Sequence, residues 1–352
     1  MEPLTDLLGL FAEAHALSGY EDQVRDLLAQ ELKPLVNDLS VDKLGNVIGI
    51  RNGTGPTVMV AAHMDEIGFM VSHVDSDGFL RFVPVGGWFA QTALSQRVLI
   101  HTADGKSVAG VIGSRPPHMM EAEDRKKVVK LKDMFIDCGA TSAEDALEMG
   151  VHVGAPVTVD RDLRPLGGKL VTGKALDNRA GCVVMLGALR LLKDQDLKAT
   201  VQAVGTVQEE VGLKGARTSA YGLSPDVAIA TDVTIPGDHP GVTQSESAVT
   251  VGKGPVITIM DAGGRGVITP RSVLSWLKEA AEQGSLPYQL QVGDAGNTDA
   301  TAIHITKTGI PCGVVSIPAR YIHSPVEVLS LEDLENGASL LAAAIQSAHK
   351  HF

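Results

Sequence analysis

The sequence predicts an α/β fold, with a central, mostly parallel mixed sheet, helices on both faces, and a small β-rich, barrel-like insert domain. After residue 163, strand-like and helix-like runs alternate, a pattern typical of a largely parallel sheet covered on both sides. Between residues 69 and 163, short alternating runs are separated by Asp-Gly turns, which indicates a separate β-rich module. We therefore expect an α/β domain of residues 1–68 and 164–352, interrupted by an insert of residues 69–163.

The N-terminal part of the α/β domain is expected to contain two helices followed by two strands. Apolar residues recur at helical spacing over residues 4–11, which predicts the first helix. Ser18 with Glu21 three positions later forms a capping box, which predicts that a second helix begins at Ser18. The β-branched runs 47–50 and 57–62 lie on either side of a Gly- and Pro-containing turn and predict two strands.

The remaining elements follow from the same periodicities. In the insert, residues 79–83, 97–101 and 107–112 alternate between apolar and polar side chains, as strands with one buried face do. Beyond the insert we expect helices at residues 177–193, 215–221, 271–283, 299–307 and 331–349, and strands at residues 200–207, 227–230, 288–292 and 312–317.

Composition excludes several functional classes. The chain carries 30 basic and 42 acidic residues, a net charge of −12, so we expect neither nucleic acid nor an anionic membrane as a partner. Three cysteines without a CxxC spacing argue for a reducing compartment and against a disulfide framework or a thiolate zinc site. The first residues lack the basic segment of a signal peptide, and no apolar run approaches the ~20 residues of a membrane span. We expect a cytoplasmic protein.

Polar side chains follow the predicted strands of the α/β domain. They are His63 and Asp65 after the strand at 57–62, Glu209 and Glu210 after 200–207, Asp232 after 227–230, and His323 after 312–317, with Asp177 at the start of a predicted helix. Open α/β sheets bind ligands beyond the carboxyl ends of their strands, so these residues form a candidate metal site. Adjacent side chains of an extended segment point apart, so Glu209 and Glu210 should serve two different neighbours.

Each of these residues also has an ordinary structural explanation. Asp177 is well placed to be a helix N-cap, Asp232 a turn residue, and either histidine a satisfied core residue. Together, so many acids at one edge would cost several kcal/mol in repulsion and desolvation without a cation. Imidazole and carboxylate donors suit zinc, cobalt or manganese. Their number exceeds the needs of one tetrahedral zinc and predicts two ions, with a further carboxylate free to act as a base.

Six blocks of the sequence carry a family resemblance. They are AAHMDEIGF, ALDNRAG, VQEEVGLKGA, ATDV, GNTDATAIH and IPARYIHSPVEV. In this order they resemble the successive signatures of the tetrahedral, or glutamyl and deblocking, aminopeptidases, metallopeptidase family 42. The likeness runs from about residue 18 to residue 335 and implies a zinc-peptidase-like fold.

The resemblance implies a role for each candidate residue. Asp177 would bridge two divalent ions, zinc or cobalt with manganese as a further possibility. His63 and Glu210 would complete the shell of one ion, and Asp232 and His323 that of the other. Glu209 would be the general base, and Asp65 would orient the imidazole of His63. These seven residues are the site that we predict.

The resemblance also implies the substrate and the assembly. The reaction would be hydrolysis of the N-terminal residue from a peptide. The insert would be a dimerisation domain, and dimers would assemble into a homo-oligomer, in the family usually a dodecamer with active sites facing an inner chamber.

Other functions compete with this interpretation. Two carboxylates across a cleft can also cleave sugars, and some relatives carry an endoglucanase label. An amidohydrolase of N-acylated amino acids would use the same two ions, and a catalytically silent metal-binding scaffold would need no base. The preferred first residue of the substrate stays open. If Arg265 or Arg271 lies in the substrate pocket, it would favour an acidic first residue, but if both lie in a surface loop, they would have no such effect.

Overall fold

The computed structural model describes residues 4–352. Its helices are α1 Leu4–Glu13, α2 Asp22–Leu32, α3 Ala90–Ala93, α4 Ala143–Glu148, α5 Leu176–Leu192, α6 Lys214–Leu223, α7 Arg271–Gln283, α8 Ala300–Ile303 and α9 Leu331–Ser347. Its strands are β1 Asp38–Val41, β2 Val47–Arg51, β3 Thr57–His63, β4 Gly68–Val74, β5 Leu80–Val85, β6 Arg97–His101, β7 Ser107–Gly113, β8 Phe135–Asp137, β9 Pro156–Val159, β10 Arg164–Gly167, β11 Leu170–Gly173, β12 Thr200–Thr206, β13 Val227–Thr234, β14 Val256–Met260, β15 Gln289–Val292, β16 Cys312–Arg320 and β17 Glu327–Ser330. Within residues 4–352, no helix is both long enough and apolar enough to span a membrane.

The large sheet has four parallel strands at its centre. Its order is β1-β2-β12-β3-β13-β16-β17-β11-β10, with β14 paired to β16 and β15 paired to β14. Strands β12, β3, β13 and β16 run parallel, and antiparallel strands flank them on both sides. Because the central strands are parallel, their carboxyl ends lie along one edge, where Thr206 of β12 is level with His63 of β3.

Helices cover both faces of this sheet, so the predicted fold class is confirmed. One core lies between the sheet and helices α1, α2, α5, α7 and α9, and a smaller core lies between the other face and α6 and α8. Helix α5 is buried from Leu176 to Leu189, as expected for a helix that is apolar on nearly every side. It packs against β3 and β13 and carries Asp177 at its beginning.

The six strands β4 to β9 close into a barrel in the order β4-β5-β8-β7-β6-β9. The barrel has a core of its own, in which Phe69 stacks on Trp88 with ring centroids 4.5 Å apart. The first barrel strand begins five residues after His63, and the last ends at Val159. The barrel is therefore attached next to the carboxyl end of β3, close to the candidate metal site.

Two sequence predictions fail in detail. The helix predicted to begin at Ser18 begins at Asp22, because the Ser18 hydroxyl donates to Asp65 (2.6 Å) rather than capping a helix, and Glu21 accepts from the backbone of Gly19 and Gln208. The helix predicted at residues 299–307 is reduced to the single turn of α8. At Ser18 and Glu21, the polar side chains bond to Asp65 and to the backbone of Gln208 instead of stabilising a local helix.

Candidate metal centre

The predicted site residues meet at the carboxyl edge of the parallel strands. His63 is the last residue of β3, Asp232 lies near the end of β13, and Glu209 and Glu210 follow β12. His323 follows β16 at the same edge, where its ring nitrogen Nε2 lies 3.2 Å from the carboxylate of Glu210. The topology thus brings together side chains that are up to 260 positions apart in the chain.

Asp177 lies between the two histidines. Its Oδ1 is 3.1 Å from Nε2 of His63, and its Oδ2 is 3.4 Å from Nε2 of His323. Asp177 has extended backbone angles, and the N-cap is instead Asn178, whose Oδ1 accepts a hydrogen bond from the backbone of Gly181 (2.9 Å). The capping alternative for Asp177 is therefore wrong, and both of its oxygens face the site.

The two adjacent glutamates face different histidines. Oε2 of Glu209 is 3.9 Å from Nε2 of His63, whereas Oε2 of Glu210 is 3.2 Å from Nε2 of His323. Asp232 lies on the His63 side, with its Oδ1 3.9 Å from the same ring nitrogen. Donor atoms of His63, Asp177 and Glu210, and those of His63, Glu209 and Asp232, lie within 4.8 Å of one another. Either triad is compact enough to hold a divalent ion.

Asp65 is fully buried behind this cluster. Its carboxylate accepts hydrogen bonds from Ser18 Oγ (2.6 Å) and from the backbone N–H groups of Glu209 (3.0 Å) and Glu210 (3.2 Å). The Oδ1 atom also lies 3.4 Å from Nδ1 of His63. One carboxylate thus orients both the imidazole and the backbone that carries the two glutamates.

Two buried glutamates, which the sequence analysis did not place at the site, stabilise its loops. Glu327 accepts hydrogen bonds from the backbone of Asp177 (2.8 Å) and of His323 (3.0 Å), and Glu21 accepts from the backbone of Gln208 (3.1 Å). His323 and Gln208 have φ angles of 60° and 55°, a left-handed conformation that costs a non-glycine residue about 1–3 kcal/mol. Glu21 thus fixes the strained backbone just before Glu209 and Glu210, and Glu327 fixes the strained backbone of His323.

The protonation equilibria reflect a surplus of negative charge. Burial raises the pKa of Glu209 and Asp232 well above their ordinary values, and the carboxylates nearby add to the rise. Burial lowers the pKa of His323, but the hydrogen bonds to Asp177 and Glu210 outweigh it and raise that pKa to about 11. Burial lowers the pKa of His63, but the charge of Glu209 and the hydrogen bonds to Asp177 and Asp65 outweigh it and raise that pKa. Burial raises the pKa of Asp177, but the hydrogen bonds with both histidines outweigh it and lower that pKa. Even with both imidazoles protonated, the four carboxylates exceed them in charge.

A cavity of about 830 Å³ opens onto the cluster. Its walls include the predicted metal ligands, the chain around residues 233–249, and the segments that follow β14 and β15. Arg265 and Arg271 do not line it and are exposed. The surface-loop alternative for these arginines is therefore supported.

Several proteins of known name or structure are similar to this chain over nearly its full length. A putative aminopeptidase of Acetivibrio thermocellus is 43% identical over 98% of this chain and 99% of its own length. A lysyl aminopeptidase of Pyrococcus furiosus is 36% identical, with 97% and 96% covered. The structure of aminopeptidase APDkam598 from Desulfurococcus kamchatkensis superimposes with a TM-score of 0.93 at 47% identity, covering 97% of this chain and 94% of that one.

Two further structures differ in what they are reported to do. The TET1 peptidase of Pyrococcus horikoshii, which can assemble into a tetrahedron or a large octahedral shell, has a TM-score of 0.87 at 34% identity, covering 97% and 98% of the chains. An endoglucanase of Thermotoga maritima has a TM-score of 0.79 at 30% identity, covering 97% of both chains. The M42 glutamyl aminopeptidase family matches residues 45–340, and the chain is an enzyme that belongs to this family of metallopeptidases.

Proposed function

We propose that this enzyme removes the N-terminal residue from peptides at a centre of two divalent ions, with Asp177 as the bridging ligand. The observation that carries the proposal is the position of Asp177, whose two oxygens face His63 and His323 separately. A bridging carboxylate uses its oxygens in this way.

The donor set fits such a pair of ions. It consists of imidazole nitrogens and carboxylate oxygens, which suit zinc, cobalt and manganese, and its surplus of buried carboxylates calls for cations. The shorter contacts favour a different grouping from the one that the resemblance implies. We propose His63 and Asp232 on one side of Asp177, and Glu210 with His323 on the other, because Glu210 is 3.2 Å from His323 and Asp232 is 3.9 Å from His63.

Bound divalent ions lower the pKa of a water molecule and polarise a carbonyl group. We assign Glu209 as the general base that takes the proton from the attacking water and then gives it to the leaving amine. Its backbone is anchored by Asp65 (3.0 Å), and it lies beside His63, away from the Glu210–His323 pair. A positioned base contributes typically ~10²–10⁴-fold to the rate. Asp65 is a positioning residue, because it orients His63 and both glutamates without facing the cavity.

We further propose that residues 69–163 mediate assembly into a homo-oligomer. Several large apolar side chains of this region are exposed on the single chain, namely Val83, Phe89, Val111, Met119 and Val128. Burying these side chains between chains would remove apolar surface from water, which favours association. The assembly of the similar TET1 peptidase supports the proposal. Light scattering of the full chain tests it, and a particle of 36.9 kDa, the mass of one chain, would overturn it.

The function is tested with aminoacyl anilides and their N-acetylated counterparts, using metal-stripped protein with and without added zinc or cobalt. Metal-dependent cleavage of only the free-amino substrates supports the aminopeptidase. A preference for acetylated substrates would instead indicate the amidohydrolase. Hydrolysis of β-glucan that survives a chelator would indicate a glycosidase, and inactivity with every metal and substrate would favour the silent scaffold.

A further inference from the structure

The cavity next to the metal centre contains aliphatic walls and acidic groups. Its apolar walls include Ile235, Val249, Met260, Leu290 and Val292. Among the residues of 4–352 that line it, the only basic side chains are the imidazoles of His63 and His323, which belong to the metal centre. The rest of the wall carries no lysine or arginine that could pair with an acidic substrate side chain.

Asp261 is the buried charge of this wall outside the metal centre. It follows β14 directly and is only 7% exposed. Its Oδ1 accepts a hydrogen bond from the backbone of Val267 (2.5 Å), but its buried Oδ2 has no hydrogen-bond partner among the described residues. The hydroxyl of Thr298, which also lines the cavity, is buried and unpartnered as well.

A buried carboxylate oxygen such as Oδ2 of Asp261 normally accepts a hydrogen bond, and here the donor is missing among residues 4–352. Leaving a charged group buried and unpaired is costly, and the group normally pairs with a cation or binds a proton. Burial raises the pKa of Asp261, and the hydrogen bond from the backbone of Val267 opposes this rise only in part. No described residue forms an ion pair with Asp261, so a bound ligand is the available source of a cation.

We infer that this cavity selects peptides with a basic first residue, lysine or arginine, and that Asp261 is the side chain that recognises the charge. The inference rests on the aminopeptidase activity proposed above. The aliphatic walls suit the methylene stem of such a side chain, while the carboxylate of Asp261 and the hydroxyl of Thr298 accept hydrogen bonds from its head.

The effect of the substrate's positive charge on kcat/KM is measured by comparing substrates of nearly equal shape. With the metal-loaded enzyme, kcat/KM is measured for lysyl against norleucyl anilide and for arginyl against citrullyl anilide. A hydrogen bond to a charged group corresponds to a factor of about 10–100, so the basic member of each pair should be favoured by that factor. Glutamyl anilide should be the poorest substrate, because its charge faces Asp261.

Two variants test whether Asp261 causes the preference for the basic substrate of each pair. Asp261→Asn keeps the shape and removes the charge, and it should reduce both ratios to within about threefold, since a neutral amide no longer attracts the cation. Asp294→Asn is the matched control, because it removes an exposed carboxylate of the same cavity, and it should leave the ratios close to those of the wild type.

The outcomes separate this inference from the proposed function. Equal kcat/KM values within each substrate pair in the wild-type enzyme would overturn the inference even if Asp261→Asn failed to fold. Unchanged ratios in a folded Asp261→Asn would overturn the role of Asp261. Cleavage of norleucyl anilide without any preference for lysyl anilide would leave the aminopeptidase standing, whereas no cleavage of any free-amino substrate would remove both.

Discussion

Two buried ionic clusters are neighbours in the fold, and they shift the pKa values of their histidines in opposite directions. In the candidate metal centre, the pKa of His323 is raised to about 11 and that of His63 is raised well above 6.5. In the second cluster, burial and then the positive charge of Lys174 lower the pKa of His15 from 6.5 to about 4. The two sites share one stretch of chain, since His63 belongs to the first and Glu66 to the second.

The second cluster, which we call the junction cluster, consists of His15, Glu66, His101, Lys174 and Arg179. Glu66 accepts hydrogen bonds from Lys174 Nζ (2.9 Å to each oxygen), Arg179 Nη2 (3.3 Å) and the backbone of Ala16 (2.9 Å). The rings of His15 and His101 share the hydroxyl of Thr158 at 2.7 and 2.8 Å. Because His101 and Thr158 belong to barrel strands, the cluster joins the barrel to the α/β domain.

The two clusters differ in the source of the positive charge that balances their buried carboxylates. Glu66 has two cations of the same chain in contact with it, so its negative charge is balanced within the fold. Within residues 4–352, the only cationic partners of the four carboxylates are two imidazoles. These carboxylates belong to Asp177, Glu209, Glu210 and Asp232. Removing one partner from a buried ion pair of the chain destabilises the fold, whereas a cluster of carboxylates that needs added cations is suited to binding and catalysis.

The largest expected effect is on turnover. Glu209→Gln should lower kcat by about 10²–10⁴-fold, because the base is lost, while the metal content stays at the wild-type value. The free energy of unfolding of the metal-free protein should not fall, since one repelling carboxylate is removed. Turnover, metal stoichiometry and urea unfolding measure the three quantities, with the exposed Glu335→Gln as control. A kcat near the wild-type value would remove Glu209 as the base.

The next effect is on metal affinity. Asp177→Asn should weaken the binding of both ions by more than the ~10–100-fold that loss of an outer-shell partner costs, because one ligand serves both. Titration of the metal-stripped variant with zinc, followed by calorimetry, measures this. Loss of only one ion would contradict a bridging role and leave Asp177 in a single shell.

The convergence of the candidate metal ligands could be predicted from the sequence because these residues come at the ends of apolar runs. Parallel strands place such residues at one edge, so His63, Glu209, Glu210 and Asp232 converge by topology alone. The residue pattern alone left Asp177 ambiguous, since a helix N-terminus explains an aspartate equally well until Asn178 is seen to provide the cap.

The supporting residues could not be predicted in this way. Glu327 accepts a hydrogen bond from the backbone of Asp177, 150 positions away, and Glu21 accepts one from that of Gln208, 187 positions away. A local sequence pattern cannot predict contacts over such separations. The sequence analysis also did not predict strand β10, whose side chains are all exposed and which contains a proline and a glycine. It pairs only because β11 presents a free edge to it.

The third effect is on stability and lies in the junction cluster. Glu66→Gln leaves Lys174 and Arg179 buried without a countercharge, which costs about 3–5 kcal/mol of the free energy of unfolding. Urea unfolding should show this loss equally with and without added zinc. The exposed Asp104→Asn, which breaks the surface pair with Lys106, should show no measurable loss. If added zinc restored the stability of Glu66→Gln, the two clusters would not be independent.

The smallest effect is the pH dependence of the junction cluster. The folded state holds His15 neutral down to about pH 4, whereas the unfolded chain binds a proton near pH 6.5, so the stability associated with this group is complete above pH 6.5 and is lost as the pH falls toward 4. The stability advantage of the wild type over His15→Gln should therefore shrink by up to about 3 kcal/mol between pH 7 and pH 4. Urea unfolding at several pH values measures it, with the exposed His118→Gln as control. A pH-independent difference would show that His15 is not held neutral, and the contrast between the two clusters would then rest on the carboxylates alone.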